Sequence, residues 1–256
     1  MKLQPAIVGT TILTIAAMFA PATSSSGVFG NRQGKVTYQK NGSEGTIGGK
    51  ISFIGEPPQP KRIDGSADSQ CEAGNELFTE DVIVKAGKLA NTFVYVQSGD
   101  ALDWYVFEAP ATEVSLAHHG CQFGPRVIGM QIQQTLKIAN EDATTHNTHF
   151  MPKNNADWNQ SQPEGATPLM HKFAEPEVLI PVKCNQHPWE KAYVAVLSHP
   201  FFAVSSQNGA YEISGLPPGQ YSLVAWHEKF GEQRAEVSIG VKEKKNLDFS
   251  FKGPGD

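Results

Sequence analysis

Apolar runs rich in Val, Ile, Phe, Tyr and Thr recur along the chain between polar turn signals: GTIGGKISFIG, EDVIVKAG, NTFVYVQSG, EVSLAHHG, RVIGMQIQ, QTLKIANEDA, EPEVLIPVKC, KAYVAVLSH, FFAVSSQNG, AYEISGLPPG, QYSLVAWHE, RAEVSIGV and NLDFSF. Many short strands at near-regular spacing, punctuated by Asn-Gly, Pro-Pro-Gly and Gly-Gly, predict an all-β chain of antiparallel sandwiches rather than alternating helices and strands. Only TPLMHKFAEP suits a turn or two of helix. Asn208-Gly209 suits a tight hairpin turn and Pro217-Pro218-Gly219 a type II turn, since glycine accepts a positive φ cheaply.

The N-terminus departs from this pattern. Lys2, an apolar stretch from Ala6 to Phe19 and then Ala20-Pro21-Ala22 have the order of a secretory signal peptide, so residues 1–22 are expected to be removed after Ala22. Residues 23–44 are Ser/Gly-rich at first and read as a flexible leader. No later segment reaches the length of a membrane-spanning helix, so a soluble periplasmic or secreted protein is expected. A boundary is expected at Ser198-His199-Pro200, leaving one domain over 45–197 and a second over 198–256; the first strand, 45–57, fits either.

Charge narrows the partners. The net charge is -5 with both signs interspersed, and the missing basic stripe argues against nucleic acid. The three cysteines carry more information, because in an oxidising compartment an odd count leaves one thiol to be bonded to another chain, reactive, or occupied by a metal. Cys71 and Cys121 lie in Gly-containing loops and read as a disulfide, with His119-Gly-Cys121 as a metal fragment the alternative. Cys184 is then the odd thiol, and Lys183 to Val196, KCNQHPWEKAYVAV, sets it three positions before His187.

The tail from Phe201, with its L-P-P-G-x-Y segment, resembles the carboxypeptidase regulatory-like, or transthyretin-like, domain family. That resemblance implies a small Ig-like sandwich with a structural or adhesive role. GTIGGKISFIGEPP looks like the opening strand of the same family, which would leave the middle region as an insertion.

The middle region resembles the cupredoxins, the blue copper proteins. Asn140, Asp142, His146, Asn147, Cys184 and His187 fall on that family's pattern in order, a His-Asn pair followed by a Cys-x-x-His loop. More narrowly, the chain looks like exported bacterial proteins that join such a segment to a regulatory-like module and share HN-x-H, C-x-x-HPW and WHE. The resemblance implies a Greek-key sandwich holding one copper ion through His146, His187 and Cys184, with Asn147 linking the two loops and Trp189 plugging the core or shielding the metal. The sequence departs from the family at the axial position, where Glu190 stands in place of methionine. Glu190 either coordinates, favouring the cupric state, or faces solvent. Met151 is an alternative axial candidate and Met170 a weaker one, while His149 is either an extra ligand or a loop histidine. His118 and His171 have no spacing that recommends them.

The implied function is one-electron transfer between redox partner proteins. Copper storage or delivery, a red-copper enzyme, and an envelope module without metal are the rivals. No nucleophile–base pair or phosphate loop is legible, so catalysis is not expected.

Overall fold

The computed structural model describes residues 1–2, 34–74 and 76–253. The body of the expected signal peptide, its cleavage site and the start of the leader lie outside the described residues. No helix among the described residues is long and apolar enough to cross a membrane.

The apolar runs form strands, and the protein is all-β. Among the described residues two short helices interrupt them, Ser69–Gly74 and Asp100–Trp104. The segment expected to turn helical holds the strand Leu169–His171 instead, paired with Leu136–Ile138. Two strands come from sequence too polar to announce them, His146–Phe150 and Trp158–Gln162; they pair with each other, and the second lies at a sheet edge with its middle residues exposed.

Among the described residues four sheets of four or more strands build two sandwiches. In the first, Gly45–Ile54 is the hub of one sheet, pairing antiparallel with Ala210–Leu216 and parallel with Lys244–Asn246 and Phe249–Lys252. The facing sheet runs Phe202–Val204, Phe93–Gly99, Gly219–His227, Gly231–Ile239. Ile47, Ile51, Val94, Val96, Leu223 and Phe251 meet between them. This sandwich thus takes strands from before residue 100 as well as after 200, while the second sandwich occupies 114–197. The C-terminal segment therefore shares its core with Gly45–Ile54, which was expected to fit either side of the boundary, and with Phe93–Gly99, which was expected on the far side of it.

In the second sandwich, Leu169–His171, Leu136–Asn140, Val114–His118 and Phe123–Gly124 form one sheet. The other runs Trp158–Gln162, His146–Phe150, Glu177–Lys183, Lys191–Leu197, Val127–Gln131. Leu116, Ile138, Phe150, Ile180 and Val194 fill the space between. Both sheets are mixed rather than purely antiparallel: Leu136–Asn140 runs parallel to Val114–His118, and Lys191–Leu197 parallel to Val127–Gln131. Such pairings join distant strands through long connections, which short-range turn signals do not reveal.

Part of the expected leader is built into the fold. Val36–Thr37 pairs with Tyr105–Val106, and the Tyr38 hydroxyl donates to Glu44 at 2.6 Å. Asn208-Gly209 makes the expected tight turn, with Gly209 at φ +73°. Gly219 does not take a positive φ; it opens a strand, and a side chain there would press on the Asp100 carboxylate, which accepts from the Gln220 amide at 2.9 Å.

A third cluster, Phe93, Tyr95, Val127, Ala195, Leu197 and Val224, seals the sandwiches together, and a buried Arg126–Glu228 ion pair crosses the same seam. Gly129 lies here, where a Cβ would overlap the rings of Phe202 and Phe93. Gly129→Ala is expected to cost about 1–3 kcal/mol through overpacking. Urea unfolding reads this directly, and an unchanged midpoint would contradict the seam.

Candidate metal centre

His146 opens the strand His146–Phe150, and Cys184 follows the neighbouring strand Glu177–Lys183. Their antiparallel register pairs His149 with Lys183, which brings Cys184 beside the start of the histidine strand. His187 and Glu190 lie on the tight loop leading into Lys191–Leu197, closed by Glu190 N donating to His187 O at 2.9 Å and Cys184 N to Glu190 O at 3.3 Å. Separated segments are thus brought to one point by sheet pairing and a loop of fixed shape.

The donor atoms of His146, Cys184, His187 and Glu190 all lie within 4.8 Å of one another, and all four residues are buried. The two Nδ1 atoms are 2.9 Å apart, and Cys184 Sγ is 3.7 Å from His187 Nδ1. Glu190 Oε1 faces His146 Nδ1 at 2.8 Å and His187 Nδ1 at 3.5 Å, yet it accepts no well-directed hydrogen bond. Two imidazoles, a thiol sulfur and an orphaned carboxylate oxygen converging in a buried space fit a cation, because bond lengths of about 2.0–2.3 Å allow four ligand atoms this close. Glu190 is only 1% exposed, so the alternative in which it faces solvent does not hold.

Outer partners fix the ligands. Asp142 Oδ2 lies 3.0 Å from His146 Nε2 while its oxygens accept from the Gly120 and Cys121 amides. Asp68 Oδ2 sits 3.1 Å from His187 Nε2 and accepts from Thr144 at 2.6 Å. Asn147 bridges the two segments: its backbone amide donates to Cys184 Sγ at 3.4 Å, and its Oδ1 accepts from the Asn185 amide at 2.7 Å. Cys184, with Cys71 and Cys121 joined in a disulfide, is a buried free thiol. Trp189 packs its ring 5.2 Å from that of His187 and donates to Cys121 O.

The remaining candidates sit elsewhere. His149 contacts Asp157 at 3.0 Å and Asn185 at 3.4 Å, outside the four-donor cluster. Met151 lines a cavity bordered by Cys184, Asn185 and Tyr193, and Met170 is exposed on the strand Leu169–His171. His171 packs against Phe150, Trp158 and Phe173. Two site residues were not singled out by the sequence. His118 is fully buried against Glu190; its place two residues from Leu116 on the same strand face was the available signal. Asp68 lies 119 positions from His187 in loop sequence, and no local pattern links them.

Burial disfavours charge on His146, but Asp142, Cys184 and Glu190 outweigh it and push its pKa up to about 11. Burial likewise opposes ionisation of Glu190, and hydrogen bonding from His118 with the charge of the facing rings holds its carboxyl below the usual carboxylate range. The buried acidic surroundings therefore favour positive charge at His146.

No curated protein matches this chain. The family model described as carboxypeptidase regulatory-like domain matches residues 183–252. Among solved structures, a copper-containing nitrite reductase from Thermus scotoductus SA-01 is similar at 17% identity and a TM-score of 0.32, over 41% of this chain and 28% of its own length. A purple cupredoxin from Nitrosopumilus maritimus is similar at 18% identity and a TM-score of 0.28, over 32% of this chain and 98% of its own. An amicyanin variant in the Cu(I) state gives 17% and 0.29, over 40% and 97%. At such scores these likenesses carry no weight for the site, which rests on its own geometry.

Two outcomes are expected. Metal uptake near neutral pH displaces the proton that the raised pKa keeps on His146, so affinity rises with pH; titration in weak buffer reads the acid released, and uptake without proton release would contradict this proton balance. The disulfide closes a loop with a sequence separation of 50, and replacing both Cys71 and Cys121 by serine is expected to cost up to about 4 kcal/mol in urea unfolding. No loss of stability would contradict that role.

Proposed function

We propose that this chain is an exported mononuclear copper protein that carries single electrons between redox partner proteins. The observation that carries the reading is the convergence of two imidazole Nδ1 atoms, one thiol sulfur and one carboxylate oxygen in a buried space. One soft thiolate with two imidazoles suits copper, whereas structural zinc sites are usually richer in thiolates. Copper in this donor set would alternate between its cuprous and cupric states and so accept or give one electron.

The chain's residues favour transfer over binding of a substrate or release of the metal. All four ligand residues are buried, and Cys184 alone of them borders the cavity lined by Met151, Asn185 and Tyr193. Asp68 hydrogen-bonds the far nitrogen of His187 and Asp142 sits 3.0 Å from that of His146, which limits rearrangement when the charge at the centre changes. Delivery to another protein would require those contacts to open. The anionic surroundings, Glu190 with Asp68 and Asp142, favour the higher charge and so a low reduction potential. A disulfide beside the site suits the oxidising compartment implied by export.

Absorption and paramagnetic resonance spectra of the copper-loaded chain test this reading. Stoichiometric copper with a sulfur-to-copper charge-transfer band, lost in Cys184→Ala, is expected. Glu190→Met is expected to move absorption toward the red end, shrink the copper hyperfine splitting and raise the potential. A chain that stays colourless with cupric salt overturns the proposal.

A further inference from the structure

His118 ends the strand Val114–His118 and is completely buried. Its Nδ1 lies 2.7 Å from Glu190 Oε2, and its Nε2 lies 3.0 Å from Thr148 Oγ1. The ring stacks on His146 with centroids 4.5 Å apart and planes at 13°, and Phe123 packs 4.3 Å from it. Neighbouring rings and bonds at both nitrogens fix its orientation. An ionised carboxylate can only accept, so Nδ1 is the donor to Glu190, Nε2 is the acceptor, and the Thr148 hydroxyl donates; the tautomer follows from the network.

We propose that His118 is a positioning residue that makes Glu190 a one-oxygen ligand: by holding Oε2, it leaves Oε1 alone aimed at the two Nδ1 atoms. This rests on the copper reading above. His118 has no free ring nitrogen to offer the cluster, so it acts only through Glu190. Without its N–H, Oε2 becomes a buried anionic oxygen lacking a donor, a costly state. The carboxylate then relieves itself by turning both oxygens toward the cation or by drawing in water. Either response changes how tightly copper is held and how its electrons are distributed.

The test compares variants of the full mature chain, reading copper(II) affinity by competition with a chelator and the cupric hyperfine splitting. His118→Phe keeps the aromatic packing and removes the donor; it is expected to weaken affinity by about 10–100-fold, as loss of an outer partner does, and to alter the splitting. His118→Asn, which keeps a donor near the Nδ1 position, is expected to stay within about twofold of the unchanged chain, whereas His118→Gln, with its donor near the Nε2 position, loses affinity as Phe does. In a Glu190→Met background, His118→Phe is expected to change affinity by no more than about twofold, since there is no second oxygen left to hold. An equal loss in both backgrounds, or His118→Phe with unaltered affinity and spectrum, overturns the role of His118 and leaves the copper reading standing. Should the Phe variant fail to fold, the Asn and Gln pair carries the same test, and equal behaviour of the two overturns it. A parent chain that takes up no copper overturns both proposals.

Discussion

Glu190 is 1% exposed, and a carboxylate withdrawn that far from water is tolerated only where donors and positive charge surround it. Here one oxygen meets His118 and the other is turned toward His146 and His187. The second oxygen has no directed donor of its own. That orphaned atom, beside two ring nitrogens that face each other, sets the pocket apart from a well-satisfied polar core and fits a cation. The rest of the site serves this arrangement, since each imidazole has a carboxylate at its far nitrogen and the thiol has the Asn147 amide.

The scaffold explains how such a concentration of polar groups survives. The second sandwich packs an apolar core of Leu116, Ile138, Phe150, Ile180 and Val194 that also includes Cys184, so the strands that carry the cluster are fixed by apolar packing. The segment bearing Asp68 is tied down by the disulfide from Cys71 to Cys121, and Trp189 packs with the same two cysteines. The first sandwich stays outside the cluster and holds the second from behind, through the seam of Phe93, Val127, Leu197 and Val224.

Much of this was legible in the sequence. The apolar runs from Gly45 to Phe251 mark most strands, because a half-buried strand needs branched and aromatic residues whatever its partner. The odd cysteine and its spacing to His187, with His146-Asn147 upstream, mark three residues of the buried four-donor cluster, because metal chemistry permits few residue types. Pairing was legible only in part. The resemblance of Gly45–Ile54 to an opening strand of the regulatory-like family anticipated its joining the C-terminal strands, whereas Lys191–Leu197 running parallel to Val127–Gln131 leaves no local trace. His118 and Asp68 were passed over for the same reason: each earns its role from what folding sets opposite it, not from its neighbours in sequence. The polar strand Trp158–Gln162 was missed because an edge strand with an exposed middle carries no apolar run.

The most direct test is X-ray absorption at the copper edge on the copper-loaded mature chain in frozen solution. The account predicts one short sulfur scatterer together with two imidazoles and one lighter oxygen donor in the first shell, with the sulfur vanishing in Cys184→Ala. A first shell built only of nitrogen and oxygen, unchanged by that substitution, would place the ion somewhere other than the pocket around Glu190 and contradict the central claim.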